Sequence, residues 1–243
     1  MKDSAKQLSL SPFNNDCEAL FSPSGFRFSN AELQCDKCPR LVEYRRSIEP
    51  KPKFAGVCYH NAPVLPSGDP NGPWLLIVGL APGAHGANRT GINFMGDGAG
   101  TLLYEALFQC GLSSRGNVHD HTHVELYGVM ITNAVRCVPP QNKPTNDEFQ
   151  ACRPNLMGLL QLKESIADIL CIGADAWREI HTAFECKMPK FAHGAISVVS
   201  SYRLYASFHT STYNQNTGRV NLSMLTDLLK NILKSRDVPD KDA

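Results

Sequence analysis

The chain has no long apolar run. Its longest, WLLIVGLA at residues 74–81, is far short of the roughly 20 residues a membrane helix needs. Nor does an apolar core follow the opening segment MKDSAKQLSLSPFNNDCEALF. No export signal is expected, so the expected location is cytoplasmic, nucleoid-associated at most, without membrane contact. An excess of charge of one sign is also missing. Lys and Arg total 24, Asp and Glu 23, for a formal net charge of +1. That balance argues against a protein that holds nucleic acid by bulk charge, although a local basic cleft needs no net excess. Two further absences narrow the field. Neither GxGxxG nor GxxxxGK[ST] occurs, which speaks against a phosphate-binding nucleotide enzyme. A second Cys-x-x-Cys, the usual mark of a structural zinc site, is lacking too.

What is present suits one α/β unit. The 243 residues are 42% hydrophobic, enough for a real core. Residues 1–30 are polar and mixed and read as an N-terminal arm. Residues 31–235 read as a single domain, and 236–243 as a tail. From Lys51 to Gly72 the chain is rich in Pro, Gly and Asn and reads as a long loop. WLLIVGL then predicts a strand buried on both faces. TLLYEALFQCGL predicts a helix, and LYGVMITNAV a second strand. Thr145 with Glu148 forms a capping box that opens another helix. ADILCIG, DAWREIHTAF and SVVSSYRLYASFH follow as strand, helix and last strand. Apolar residues at Leu225, Leu228, Leu229, Ile232 and Leu233 mark a final amphipathic helix. Alternating strands and helices predict three α/β/α layers around a central, mostly parallel four-stranded sheet. Ligands of such sheets bind beyond the carboxyl ends of the strands. GLAPGAHG, TNAVRC and SFHTS each begin where a strand ends, so they are expected along one edge.

Nine cysteines in a chain without an export signal are expected to be reduced thiols rather than a disulfide framework. Cys110 and Cys171 lie in apolar segments and read as core; Cys17, Cys58 and Cys186 carry no assignment. Cys35 and Cys38, in CDKC, present two thiolates on one side, as zinc and iron–sulfur sites require. A redox pair is a further reading, and zinc held with the wider pair Cys137 and Cys152 another.

The loop GLAPGAHGANRTGINFMGDGAG is dense in glycine and alanine, which lets backbone approach a ligand closely, and it ends at a helix start, where free N–H groups favour anions. It resembles the first motif of family-five (type B) uracil-DNA glycosylases, a branch of the superfamily that carries a four-cysteine 4Fe–4S cluster. The resemblance extends in order to CDKCPRL, to TNAVRCVPPQNKPT with the later Cys152, and to FHTSTYNQNTGR. It thus covers about Gln34 to Arg219. Family four shares the cluster but has an acidic residue in its first loop and lacks HGANRTG. Two departures stand out: Ile92-Asn93, where the family's dipeptide often begins with Arg, and Thr210, where the superfamily commonly has His-Pro-Ser.

The resemblance implies a monofunctional enzyme that flips uracil out of DNA and hydrolyses its N-glycosidic bond, with hypoxanthine, xanthine or other damaged bases as further substrates. Cys35, Cys38, Cys137 and Cys152 would hold the cluster. Phe94 would stack on the flipped base, Asn133 would read its edge, and His85 would border it. His209 would face the O2 side of the leaving base. Gly83 and Ala84, through their backbone, and Asn88 would hold the attacking water and the sugar. Some members have Asp where Asn88 stands, so Asn88→Asp is expected to preserve or raise activity. Tyr213, Gln215 and Arg219 would enter the minor groove, and Lys143, Arg136 and Arg153 would touch phosphates. The expected partner is DNA carrying deaminated bases, bound by a monomer. The rival reading is a weak or inactive iron–sulfur DNA-binding module of the same fold.

Overall fold

The computed structural model describes residues 30–119 and 122–236. The expected N-terminal arm up to residue 29 and the tail beyond residue 236 lie outside the described residues. In chain order the elements are α1 (Asn30–Leu33), α2 (Pro39–Ser47), β1 (Ser67–Gly68), β2 (Leu75–Gly79), α3 (Ala87–Thr90), α4 (Gly98–Gln109) and β3 (Val129–Asn133). They continue with α5 (Asn146–Leu162), β4 (Asp168–Ile172), α6 (Ala174–Ala183), β5 (Ile196–Val199), β6 (Tyr202–Ser207), α7 (Thr212–Asn216) and α8 (Leu222–Arg236).

The sheet runs β1-β3-β2-β4-β6-β5. The middle four strands are parallel, while β1 and β5 pair antiparallel at the two edges. Every residue of β2, β3 and β4 is buried, because helices cover both faces of a parallel sheet. Alternation then sends neighbours to opposite cores. Leu75, Ile77, Val129, Ile131, Leu170 and Ile172 pack under α4 and α8. Leu76, Val78, Met130, Ile169 and Cys171 pack with Leu41 of α2 and the apolar stripes of α5 and α6. The three-layer α/β/α expectation therefore holds, and so does the capping box, with both reciprocal bonds of Thr145 and Glu148 formed.

The sheet has six strands rather than the four expected. SVVSSYRLYASFH, read as one strand, is a hairpin that turns at Ser200-Ser201, with Ser200 at a φ of 54°. The other addition, β1, sits inside the segment read as loop. It is only two residues long, too short for any alternation to show.

Candidate active site and cysteine centre

The carboxyl ends of β2, β3, β4 and β6 reach one edge of the sheet. The chain leaves β2 toward β3 on one side and β4 toward β6 on the other, so the crevice between β2 and β4 is the switch point of the sheet. A cavity of about 440 Å³ opens there. Gly83, Phe94, Asp97, Asn133, Asp175 and His209 all line it. Residues from all four strand ends thus meet: the three segments expected from the sequence, joined by Asp175 after β4.

Phe94 is held in a left-handed conformation, φ 55°, which is costly for a bulky side chain. The neighbouring backbone is fastened to keep it there. Thr90 donates its hydroxyl to the Met95 carbonyl at 3.1 Å, Arg89 donates to the Gly96 carbonyl at 3.2 Å, and buried Tyr104 donates to the Asn93 carbonyl at 3.0 Å. Gly79 ends β2 directly against this site: a methyl there would overlap both the Phe94 ring and Asn133 Oδ1.

His209 lies with its ring centroid 6.4 Å from that of Phe94. The Ser211 backbone N–H donates to its Nδ1 at 3.1 Å. That bond requires Nδ1 to be the acceptor, so the neutral ring carries its proton on Nε2. Burial pushes the imidazole below its ordinary range, against the pull of Asp97 and Asp175. The loop around it is fastened by Asn214, which donates to the His209 carbonyl at 2.8 Å.

Asp97 caps α4. Its Oδ1 accepts from the Ala99 and Gly100 N–H groups at 3.0 and 3.2 Å. Its other oxygen faces the Gly83–Gly86 turn, where a methyl on either glycine would crowd it. Asp97 escaped the sequence reading because an Asp before a helix is an ordinary N-cap. The signal was its place in MGDGAG, inside the very motif that carried the resemblance.

Other expected site residues lie elsewhere. Asn88 is fully buried in α3, outside the cavity lining, and donates to Asn61 Oδ1 at 2.8 Å and the Ala84 carbonyl at 3.4 Å. An aspartate there would face two acceptors, so Asn88→Asp is now expected to destabilise the loop rather than raise activity. His85 and Ala84 also fall outside the lining; His85 Nδ1 bonds the Tyr59 hydroxyl at 2.9 Å. Tyr213 is 70% exposed on α7, a reach consistent with a wedge. Gln215 is instead a strap: it donates to the carbonyls of Gly98 and Thr210 at 2.9 and 2.7 Å. Arg219 is exposed beyond α7. Lys143 is exposed, but Arg136 pairs with Glu32 and Arg153 with Glu179, so neither arginine is free for phosphate.

Cys35, Cys38, Cys137 and Cys152 are free thiols and line a second cavity of about 470 Å³ between α2, the loop after β3, and α5. Among the described residues no three His, Cys, Asp or Glu side chains close on a single metal ion. N–H donors face two of the sulfurs. Buried Arg45 donates to Cys137 Sγ at 3.0 Å and to the Cys35 carbonyl at 3.0 Å. The Arg136 N–H donates to Cys152 Sγ at 3.4 Å. Without an electron-pair acceptor, burial pushes the Cys137 thiol up to about 12, against Arg45, and raises Cys38 as well. Arg40 donates twice to Glu148, at 2.8 and 2.7 Å, and ties the Cys-x-x-Cys turn to α5. Cys58 departs from the expectation of reduced thiols, being disulfide-bonded.

Buried His60 and partly buried His193 and His209 predict how stability depends on pH. Burial lowers His60, His193 and His209 from the ordinary imidazole range. Between the unfolded pKa of about 6.5 and the lower folded values, the unfolded chain binds protons that the folded chain refuses. Stability is therefore full above about pH 6.5 and falls as pH drops below it. Denaturant midpoints measured from pH 8 to pH 5 should decline from that point; a flat profile down to pH 5 would contradict the burial of these rings.

A three-layer α/β protein with a cavity at its strand ends, lined by an aromatic ring, an amide, an imidazole and a carboxylate, has the makings of a glycosylase. The chain belongs to the uracil DNA glycosylase superfamily, whose family model matches residues 65–233. The Type-5 uracil-DNA glycosylase of Pyrobaculum aerophilum is 38% identical over 218 residues, covering 88% of this chain and 96% of that protein. That of Thermus thermophilus is 39% identical over 199 residues, covering 80% and 90%. A Type-4 uracil-DNA glycosylase of Pyrobaculum aerophilum is 35% identical over 137 residues, only 55% of this chain and 54% of that protein. The near full-length match is thus with the type-5 branch.

Proposed function

We propose that this chain is a type-5 uracil-DNA glycosylase, a hydrolase that releases uracil from DNA and leaves an abasic site. The observation that carries the reading is the convergence of Phe94, Asn133, His209 and Asp97 on one cavity. The flipped uracil enters it after paying a few kcal/mol of unstacking. Phe94 stacks on the ring. Asn133 offers a donor and an acceptor to its edge. His209, with its proton on Nε2, donates to O2 as cleavage puts negative charge there. The free oxygen of Asp97, beside Gly83, steadies the oxocarbenium-like sugar and orients the attacking water. A carboxylate in the cavity removes the ground for the inactive-module reading, which rested on an amide at Asn88. Among the described residues no lysine lines the cavity to form a Schiff base, so the strand stays intact.

Cys35, Cys38, Cys137 and Cys152 are the donors for a 4Fe–4S cluster. The fit rests on four thiols around one cavity, with N–H donors aimed at two of the sulfurs. When bound, the cluster cross-links the α2 segment to the loop after β3; the bond cleavage does not use it. Tyr213 is the candidate to fill the gap left by the flipped base, with Arg219 nearby on the same loop.

Duplexes carrying uracil, hypoxanthine or xanthine, incubated in parallel, test the reading. Uracil should be released fastest. Asp97→Asn should lower that release by at least about tenfold while duplex binding holds, since an amide cannot neutralise a sugar cation. Equal release by Asp97→Asn and wild type would remove Asp97 from the chemistry.

A further inference from the structure

We infer that Asn93, a departure from the family pattern in the dipeptide Ile92-Asn93, sets the enzyme's selectivity by locking the orientation of the Asn133 amide. The inference rests on the reading of Asn133 as the residue that pairs with the flipped base.

An asparagine amide is nearly symmetric in shape. Rotated by half a turn, it exchanges donor and acceptor. Free to rotate, Asn133 would serve two opposite kinds of base. Uracil presents a carbonyl acceptor (O4) beside an N3–H donor. Cytosine presents an amino donor beside a bare N3 acceptor. Hypoxanthine and adenine form the same opposed pair. An amide of fixed orientation therefore accepts the deaminated base and refuses its parent, whereas an amide that turns over accepts both.

The structure fixes it in two steps. Asn93 is fully buried. Its Nδ2 lies 2.7 Å from the Leu65 carbonyl, 3.2 Å from the Ile131 carbonyl and 3.3 Å from Ser67 Oγ. Two of those oxygens only accept, so Asn93 itself cannot turn over, and its Oδ1 must face Asn133. There it accepts from Asn133 Nδ2 at 2.7 Å, in a buried bond. Turning Asn133 would set two acceptor oxygens against each other at that separation. Asn133 is consequently left with its Oδ1 and its second N–H in one fixed order across the cavity. The Tyr104 hydroxyl, bonded to the Asn93 carbonyl at 3.0 Å, holds the loop backbone in place behind the pair.

This device distinguishes deaminated cytosine and adenine from their parents. It does not distinguish uracil from thymine, whose edges match.

The test is the ratio of single-turnover release of uracil to release of cytosine from otherwise identical mismatched duplexes. A ratio cancels the folded fraction of each preparation, so a destabilised variant still reports. Sites built on hydrogen bonds reject the wrong partner by on the order of 10⁴-fold. Asn93→Leu and the smaller Asn93→Ala should each lower the ratio at least about tenfold, chiefly by raising cytosine release. Asn93→Asp, protonated where it faces the Leu65 and Ile131 carbonyls, donates to them as the amide did and still accepts from Asn133, so it should keep the wild-type ratio. A wild-type ratio in Asn93→Leu or Asn93→Ala, or a collapsed ratio in Asn93→Asp, would overturn the inference alone. A wild type that releases no uracil would overturn the enzymatic reading beneath it.

Discussion

Replacing His209 by alanine should slow single-turnover uracil release by about two to three orders of magnitude, the usual effect of losing one positioned donor to a developing anion. The expectation follows from how little freedom the ring has. Ser211 fixes its tautomer at 3.1 Å, and Asn214 holds the His209 carbonyl at 2.8 Å. Burial keeps the ring neutral near neutral pH. A neutral Nε2–H contributes little to the uncharged base in the ground state and much once O2 gains charge. Affinity for a uracil duplex should therefore change far less than the rate. Phe94→Ala should behave differently, weakening binding and rate together, because stacking contributes about 1–3 kcal/mol per base before and during reaction. Equal losses of binding and rate in His209→Ala would assign it to base holding instead.

The second large effect concerns the cysteine centre. Purified without oxygen damage, the protein should be brown, with about four iron and four sulfide per chain. Cys137→Ala should abolish both and destabilise the fold by roughly 3–5 kcal/mol. Arg45 is the reason for the size of the second effect. It is 4% exposed and points one guanidinium nitrogen at Cys137 Sγ, so loss of the sulfur leaves that nitrogen of a buried cation without its acceptor. Cys152→Ala should lose iron equally but leave the Arg45 contact to the Cys35 carbonyl and Cys137 intact. Metal analysis and denaturant unfolding would check both. Stoichiometric zinc without visible absorption would refute the cluster.

Much of this architecture could be read from residues alone. Continuous apolar runs at Leu75–Gly79 and Asp168–Ile172 mark strands covered on both sides, and the Thr145–Glu148 box marks where α5 begins. The rule that ligands sit beyond parallel strand ends places GLAPGAHG, TNAVRC and SFHTS at one edge, and the family resemblance picks out Phe94, Asn133 and His209. The hairpin at Ser200-Ser201 was hidden because neither residue is a usual positive-φ turn former. The direction of side chains within the Gly-rich loop was hidden for a different reason. A four-residue helix, α3, turns Asn88 into the interior, and no periodicity survives in so short an element. Asp97 was concealed by doing two jobs, since its capping role already accounted for it. The Asn93–Asn133 bond joins residues 40 positions apart, and only the completed fold brings them together.

Incubating the wild-type protein with a duplex carrying one uracil and measuring the free base decides whether this chain is an enzyme. Uracil should be released in proportion to enzyme, leaving an abasic site in an unbroken strand until alkali is added. Tight binding to that duplex with release no faster than from DNA alone would contradict it and leave a DNA-binding protein of glycosylase fold.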